Sequence, residues 1–236
     1  ALIGMAYSSD AQMIAVASMD SVARVIRLPV SKHAGAGMTF MGHNKPLRSV
    51  AFSHDSSLLL TASNDETAKI WSLNTGRSEP ALTFGHSCHN PRQSKDQRGG
   101  GSPALPPLDV RKNRANQPYR TEVRQAQFFY RDKFVLVTTS TALYMYAYEL
   151  NLSNKTNDLK HPDESQGRYT LAHKWDQDGN TITSVTGVNS MLSHLIFRAS
   201  SNRCVHILDA STGQVARTIN DAHQRSVHTV TVPTPS

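Results

Sequence analysis

Residues Ala51 to Leu73 read AFSHDSSLLLTASNDETAKIWSL, and the same pattern stands 45 residues earlier, without a gap, as AYSSDAQMIAVASMDSVARVIRL over Ala6 to Leu28. Identities fall at Ala6/Ala51, Ser8/Ser53, Asp10/Asp55, Ala17/Ala62, Ser18/Ser63, Asp20/Asp65, Ala23/Ala68 and Leu28/Leu73. Tyr7 answers Phe52, and Val25 answers Ile70. A second echo sets Thr39-Phe40-Met41-Gly42-His43 against Thr83-Phe84-Gly85-His86. Inside one unit, Leu47 to Phe52, Leu58 to Ser63, Ala68 to Leu73 and Ala81 to Phe84 are short apolar-rich runs. Ser-His-Asp-Ser, Asn-Asp-Glu and Asn-Thr-Gly separate them, and such residues build tight turns. No window sustains the i, i+3, i+4, i+7 spacing of an amphipathic helix. The spacing predicts an all-β chain, and a unit of about 45 residues is the size of a four-stranded propeller blade.

Gly42-His43, then Ser63-x-Asp65-x-Thr67, then Ile70-Trp71 resembles the signature of a WD-repeat blade. The resemblance implies a buried hydrogen-bonded tetrad of His43, Ser63, Asp65 and Trp71, with the serine linking the imidazole to the indole N–H. Each buried polar group would then have a partner, which offsets its desolvation. In the first copy only Ser18 and Asp20 survive, because Ile26 stands where Trp71 stands, so that tetrad is expected to be degenerate. Thr121 to Leu150 reads as three further strands, with Tyr148 near the tryptophan position and no Asp in the second turn. Tyr169 to Trp175 supplies a fourth. Thr181 to Ile219 reads as another blade, in which Ser201-Asn202 replaces the Ser-x-Asp turn and Leu208-Asp209 the Trp position. The resulting map is a partial β-propeller over 1–236. It has blades at 1–41 and 42–85, a basic insertion at 86–120, blades at 121–176 and 181–223, and the first strand of a further blade at 226–236. QAQFFYRDKF at Gln125 to Phe134, SSNRCVHILD at Ser200 to Asp209 and DAHQRSVH at Asp221 to His228 most resemble the second propeller of eukaryotic two-propeller members. About four blades of a seven- or eight-bladed ring are therefore expected, the remaining ones on the same full-length chain. Uncovered blade edges would make the isolated chain self-associate.

With 236 residues and 38% hydrophobic content the chain can build a core. Cys88 and Cys204 lie too far apart in sequence for a disulfide framework. No apolar run approaches the roughly 20 residues of a membrane helix, and no charged leader precedes an apolar one. A cytoplasmic protein is the expectation, with nuclear or cytoskeletal association open. The net charge of +7 is unevenly spread. His86 to Arg120 carries seven bases against Asp96 and Asp109, hence +5, together with Gly99-Gly100-Gly101 and prolines including Pro103, Pro106, Pro107 and Pro118. That composition reads as a flexible loop rather than a basic face.

Few residues point to chemistry. His86, Cys88 and His89 have metal-ligand spacing, but no second pair follows to complete four ligands. Asp10, Asp20, Asp55 and Asp65 recur with the repeat at turn positions, as scaffold residues do. Gly99 to Gly101 lies in a loop rather than between strand and helix, so it is no phosphate cradle. Asn151 and Asn154 begin glycosylation sequons, and Ser94 and Ser102 sit in the basic loop as phosphorylation candidates. No catalytic, cofactor-binding or metal-binding residue is expected. The reading is a non-enzymatic protein-interaction scaffold inside a larger multiprotein assembly, with other proteins as partners and no membrane. Asn44, Lys45, Asn64 and Glu66, beside the tetrad, are the candidate contact residues. The alternative is nucleic-acid or acidic-surface binding through the 86–120 loop, which has only Tyr119 for base stacking.

Overall fold

Short apolar runs broken by Asp, Asn, Ser and Gly cannot cover a helical stripe, but each can bury one face of a narrow antiparallel sheet. The computed structural model describes residues 1–29, 37–75, 79–85, 119, 121–150, 167–177, 179–191 and 193–232. The first sheet holds β1 (Leu2–Tyr7), β2 (Met13–Ser18), β3 (Ala23–Arg27) and β4 (Met38–Phe40). The second holds β5 (Leu47–Phe52), β6 (Leu58–Ser63), β7 (Ala68–Ser72) and β8 (Leu82–Phe84). The third holds β9 (Val123–Phe129), β10 (Phe134–Thr139), β11 (Ala142–Glu149) and β12 (Arg168–Asp176). The fourth holds β13 (Ile182–Gly187), β14 (Leu195–Ser200), β15 (Val205–Asp209) and β16 (Val215–Ile219). Each is an antiparallel meander in chain order. Four four-stranded blades give the all-β propeller architecture that the repeat implies.

Turn chemistry explains why the aspartates recur. The Ser8 hydroxyl donates to Asp10 Oδ1 at 2.6 Å and accepts the Met13 amide at 2.8 Å. Ser53 repeats both bonds, to Asp55 at 2.6 Å and from Leu58 at 2.9 Å. The turns pass through positive φ at Ala11 (54°) and Ser56 (58°), so each carboxylate staples a strained hairpin tip.

The blades meet in three apolar seams. Ala15, Ala17, Val25 and Phe40 of the first blade pack on Leu47, Val50, Leu59 and Trp71 of the second. The opposite face of the second blade, with Leu58, Leu60, Ile70 and Phe84, meets Val123, Ala126, Val135, Val137 and Tyr146 of the third. Phe129, Leu136, Met145 and Trp175 of the third then pack on Ile182, Val185, Ile196 and Leu208. Fully burying one such side chain stabilises the fold by about 1.5–3 kcal/mol. Side chains also tie inner strand to inner strand. The Ala126 amide donates to Ser49 Oγ at 3.0 Å, and the Gln125 amide group pairs with both the carbonyl and the N–H of Val185 at 2.8 and 3.1 Å.

One element differs from expectation. Residues 226–232 form no strand. A strand needs a ladder partner, and no described strand pairs with this segment. It runs beside β13 instead: Thr183 Oγ1 donates to the Val227 carbonyl, and the Val230 amide reaches Ser184 Oγ at 3.3 Å. The latter contact has the register of the Ala126–Ser49 bond between β9 and β5.

Candidate functional site

The densest polar network in the described chain is in the second blade. His43 lies just before β5, Thr61 is on β6, Asp65 and Thr67 flank the β6–β7 turn, and Trp71 is on β7. His43 Nδ1 lies 2.8 Å from Asp65 Oδ2, and its Nε2 lies 2.8 Å from Thr61 Oγ1. Trp71 Nε1 donates to the same Thr61 oxygen at 2.9 Å. An indole N–H only donates, which fixes the Trp71–Thr61 bond, and a neutral ring protonated at Nδ1, facing the carboxylate, fits the rest. Trp71 gives to Thr61, the Thr61 hydroxyl gives to His43 Nε2, and His43 Nδ1–H gives to Asp65. Asp65 also accepts the amides of Asn44 and Thr67, each at 3.0 Å, and the Thr67 hydroxyl at 2.6 Å. Burial pushes the Asp65 carboxyl up, but His43, Thr67 and the Asn44 amide outweigh it and hold the group well below the usual carboxylate range.

Ser63, expected to link imidazole and indole, does not do so. Its hydroxyl donates to the carbonyls of Lys45 (2.9 Å) and Pro46 (3.1 Å) and accepts the Asp65 amide at 3.1 Å. The link is Thr61, which sequence reading missed. The signal was in the hairpin: Leu59 pairs with Trp71, so Thr61, two residues on, shares the face of the indole. Gly42 leaves room for this arrangement. It sits at φ +152°, and a Cβ there would stand 3.1 Å from the Trp71 ring.

The other candidate residues surround the network. Asn44 and Lys45 are exposed, whereas Asn64 and Glu66 are half-buried in the β6–β7 turn, less open than expected. In the first blade Asp20 turns outward to Arg24 at 2.7 Å, which draws its carboxyl down to about 2. The Ser18 hydroxyl reaches the Ala1 carbonyl at 3.4 Å and also helps to lower the Asp20 carboxyl. Ile26, at the Trp71 position, is exposed. In the third blade Val135 pairs with Tyr146 as Leu59 pairs with Trp71, so Tyr146, not Tyr148, holds the tryptophan position. Tyr119 takes the His43 register, four residues before the inner strand, and packs against Tyr144 at 4.9 Å. Aromatic packing there replaces the polar network. In the fourth blade Leu208 holds the tryptophan position and a buried Arg198 the Thr61 position.

Asp65, His43 and Thr61 have the composition of a nucleophilic triad, but the geometry forbids that chemistry. The Thr61 hydroxyl is wholly buried, holds the indole N–H and gives its proton to the ring. No substrate reaches it. Every donor and acceptor is spent on fixing the turn. His86, Cys88, His89, the glycine run, the sequons, Ser94, Ser102 and nearly all of the basic loop lie outside the described residues. Among the described residues no group of three His, Cys, Asp or Glu side chains is placed to hold a metal ion. No described helix is long and apolar enough to cross a membrane.

The WD40 pattern (WD domain, G-beta repeat) matches residues 36–72, which span this network from Gly42 through Trp71. The second blade carries the WD40 repeat pattern. The chain is 39% identical over 72 residues to the COMPASS component SWD3 of Saccharomyces cerevisiae, a match covering 30% of this chain and 22% of that protein. It is 35% identical over 69 residues to apoptotic protease-activating factor 1 of Danio rerio, covering 29% of this chain and 5% of that protein. The chain thus matches under a quarter of either relative. In three dimensions it resembles the crystal structure of the Cps50 (Swd1) β-propeller domain of Myceliophteria thermophila, with a TM-score of 0.62 at 11% identity. That match covers 97% of this chain and 57% of the other, and at such identity the likeness is one of fold.

Proposed function

We propose that this chain is a non-enzymatic protein-interaction scaffold, a WD-repeat propeller segment working in the cytoplasm within a multiprotein assembly. The observation that carries the reading is how the WD40 network is spent. Asp65 grips the Asn44 amide and Ser63 grips the Lys45 carbonyl, so the approach to β5 and the β6–β7 turn become one rigid rim. Asn44 and Lys45 are left exposed on it, with Glu66 beside them. A preorganised polar rim binds without a large ordering cost, which suits partner recognition. The similarity to a COMPASS component supports work inside a complex. WD40 propellers of scaffold type are as a rule not catalysts, and a sealed His–Asp–Thr chain fits that class. The stretches at Gln125 to Phe134, Ser200 to Asp209 and Asp221 to His228 resemble the second propeller of WD repeat-containing protein 27, which favours further blades on the full-length chain.

The test is affinity capture with quantitative mass spectrometry, comparing the chain with an Asn44→Ala, Lys45→Glu, Glu66→Lys variant. Lys133→Glu, at the opposite end of the blades, serves as control. Partners lost with the rim variant and kept with the control support the reading; identical partner sets sink it. Binding through the basic 86–120 stretch remains the rival because that stretch holds +5 of the +7 charge. Its signature would be affinity for nucleic acid falling with log[salt] at a slope of about −0.9 per phosphate neutralised.

A further inference from the structure

Leu47 and Val123 hold the same register at the start of neighbouring inner strands, each paired with the last residue of the next strand, Ser63 or Thr139. The residues that follow them, Arg48 and Arg124, therefore stand side by side. Between them lies a single acid. Glu122 Oε1 is 3.4 Å from Arg124 Nε and 3.9 Å from an Arg48 terminal nitrogen. Both separations exceed the 2.7–2.9 Å of a good charge-assisted hydrogen bond, and Arg124 Nε makes no hydrogen bond at all. Two guanidinium forks thus share one carboxylate and saturate neither. The side chains of Arg48, Arg124 and Glu122 are 37%, 35% and 34% exposed, although Arg124 Nε itself is buried.

Lys45 stands on the same rim, its backbone fixed by Ser63. The segment beside β13 extends the pattern, with exposed Arg225 in the register of Lys45 and exposed His228 in that of Arg48. Against Lys45, Arg48, Arg124 and Arg225 the rim sets Glu66 and the shared Glu122, since Asp65 is spent in its network. No aromatic side chain lies among these residues, so a nucleobase would find no stacking platform.

We propose that the approach ends of the inner strands form a docking surface for an acidic peptide segment of a partner protein. Arg48 and Arg124 present the guanidinium forks that receive its carboxylates, and Lys45 stands beside them. The inference rests on the scaffold reading and gives that rim its partner chemistry. Glu122 acts as an internal competitor, holding the two arginines in place while occupying them incompletely.

The test is fluorescence anisotropy with a labelled decapeptide of alternating Glu and Ser, against an all-Ser peptide and a single-stranded oligonucleotide of equal charge. The whole chain binds the acidic peptide, more weakly as salt rises. Arg48→Gln with Arg124→Gln weakens binding by about tenfold, while Glu122→Gln tightens it several-fold, because the competitor is gone. A merely structural Glu122 would not give that gain. Near-ultraviolet circular dichroism confirms that each variant is folded; should the double variant unfold, Arg48→Gln and Glu122→Gln alone still decide the sign. Three results overturn the proposal: no tightening with Glu122→Gln, loss of binding only when Arg111, Lys112 and Arg114 become Gln, or an oligonucleotide that outcompetes the peptide at the same residues. If partner capture persists while acidic peptides ignore Arg48 and Arg124, the scaffold reading stands and only this inference falls.

Discussion

The first and second blades begin from nearly the same sequence and reach different interiors. Both fold the same hairpins, with Met13–Ser18 against Ala23–Arg27 and Leu58–Ser63 against Ala68–Ser72. Yet Val16 stands where Thr61 stands, and Ile26 where Trp71 stands. Without hydroxyl and indole there is nothing for a histidine chain to join, and Asp20 swings out to Arg24. The blade's shape therefore comes from turn staples and apolar seams, which the two share. The polar network adds a rigid rim to a sheet that forms without it.

The comparison can be broken hardest at the indole. Trp71→Ala removes a wholly buried ring from the first seam and should cost about 3–5 kcal/mol by urea denaturation. Ile26→Ala, at the matching exposed position, should cost far less; equal losses would mean that the seam does not depend on the ring. Next comes the link. Thr61→Val keeps the shape but strands the Trp71 N–H and His43 Nε2, at about 1–3 kcal/mol for each group left unpaired. Ser63→Ala removes a turn bond worth about 1 kcal/mol. If Ser63→Ala proves the costlier of the two, the assignment of the link is wrong.

Asp65→Ala leaves His43 and two amides without their acceptor, a loss of about 1–3 kcal/mol, whereas Asp20→Ala should barely move the melting curve. Acidification separates the same two residues with a smaller effect. The Asp65 carboxyl is depressed in the fold, so its contribution is complete above the unfolded value of about 3.9 and drains away as pH falls below it toward the folded value. Stability measured from pH 5 downward should decline less steeply in Asp65→Asn than in the parent chain. An identical acid limb in both proteins would show that Asp65 is not the group responsible.

Much of this was legible in the sequence because its signals are local. Turn residues such as Ser53 and Asp55 act within five positions, and so the strands of the second blade could be bounded almost to the residue. His43, Asp65 and Trp71 were visible for the same reason. What escaped depends on register across a hairpin. Ser63 and Thr61 are both buried hydroxyls on one strand, and only the Leu59–Trp71 pairing selects Thr61. Tyr148 and Tyr146 are not distinguished by spacing because the eight-residue β11 offers several aromatics, and the pairing of Val135 decides among them. Residues 226–232 have a strand's pattern but no neighbour to complete it. The shared carboxylate of Glu122 was hidden because a charge count cannot tell which arginines meet.

The second and third blades differ from the outer two in being covered on both faces; every residue of β6 and β7 is buried, while every residue of β16 is exposed. Opening β6 to solvent means parting two seams at once; opening β16 parts none. Amide hydrogen exchange should accordingly grade along the chain, slowest at Leu59 and Leu60 and fastest in the last outer strand. Since the apolar seams among the described residues join each blade only to its neighbours, a lesion at one seam travels one blade in either direction before its free-energy consequence fades. The chain then behaves as a short stack with a protected middle and fraying ends, and its cooperativity is set by the seams rather than by the sheets.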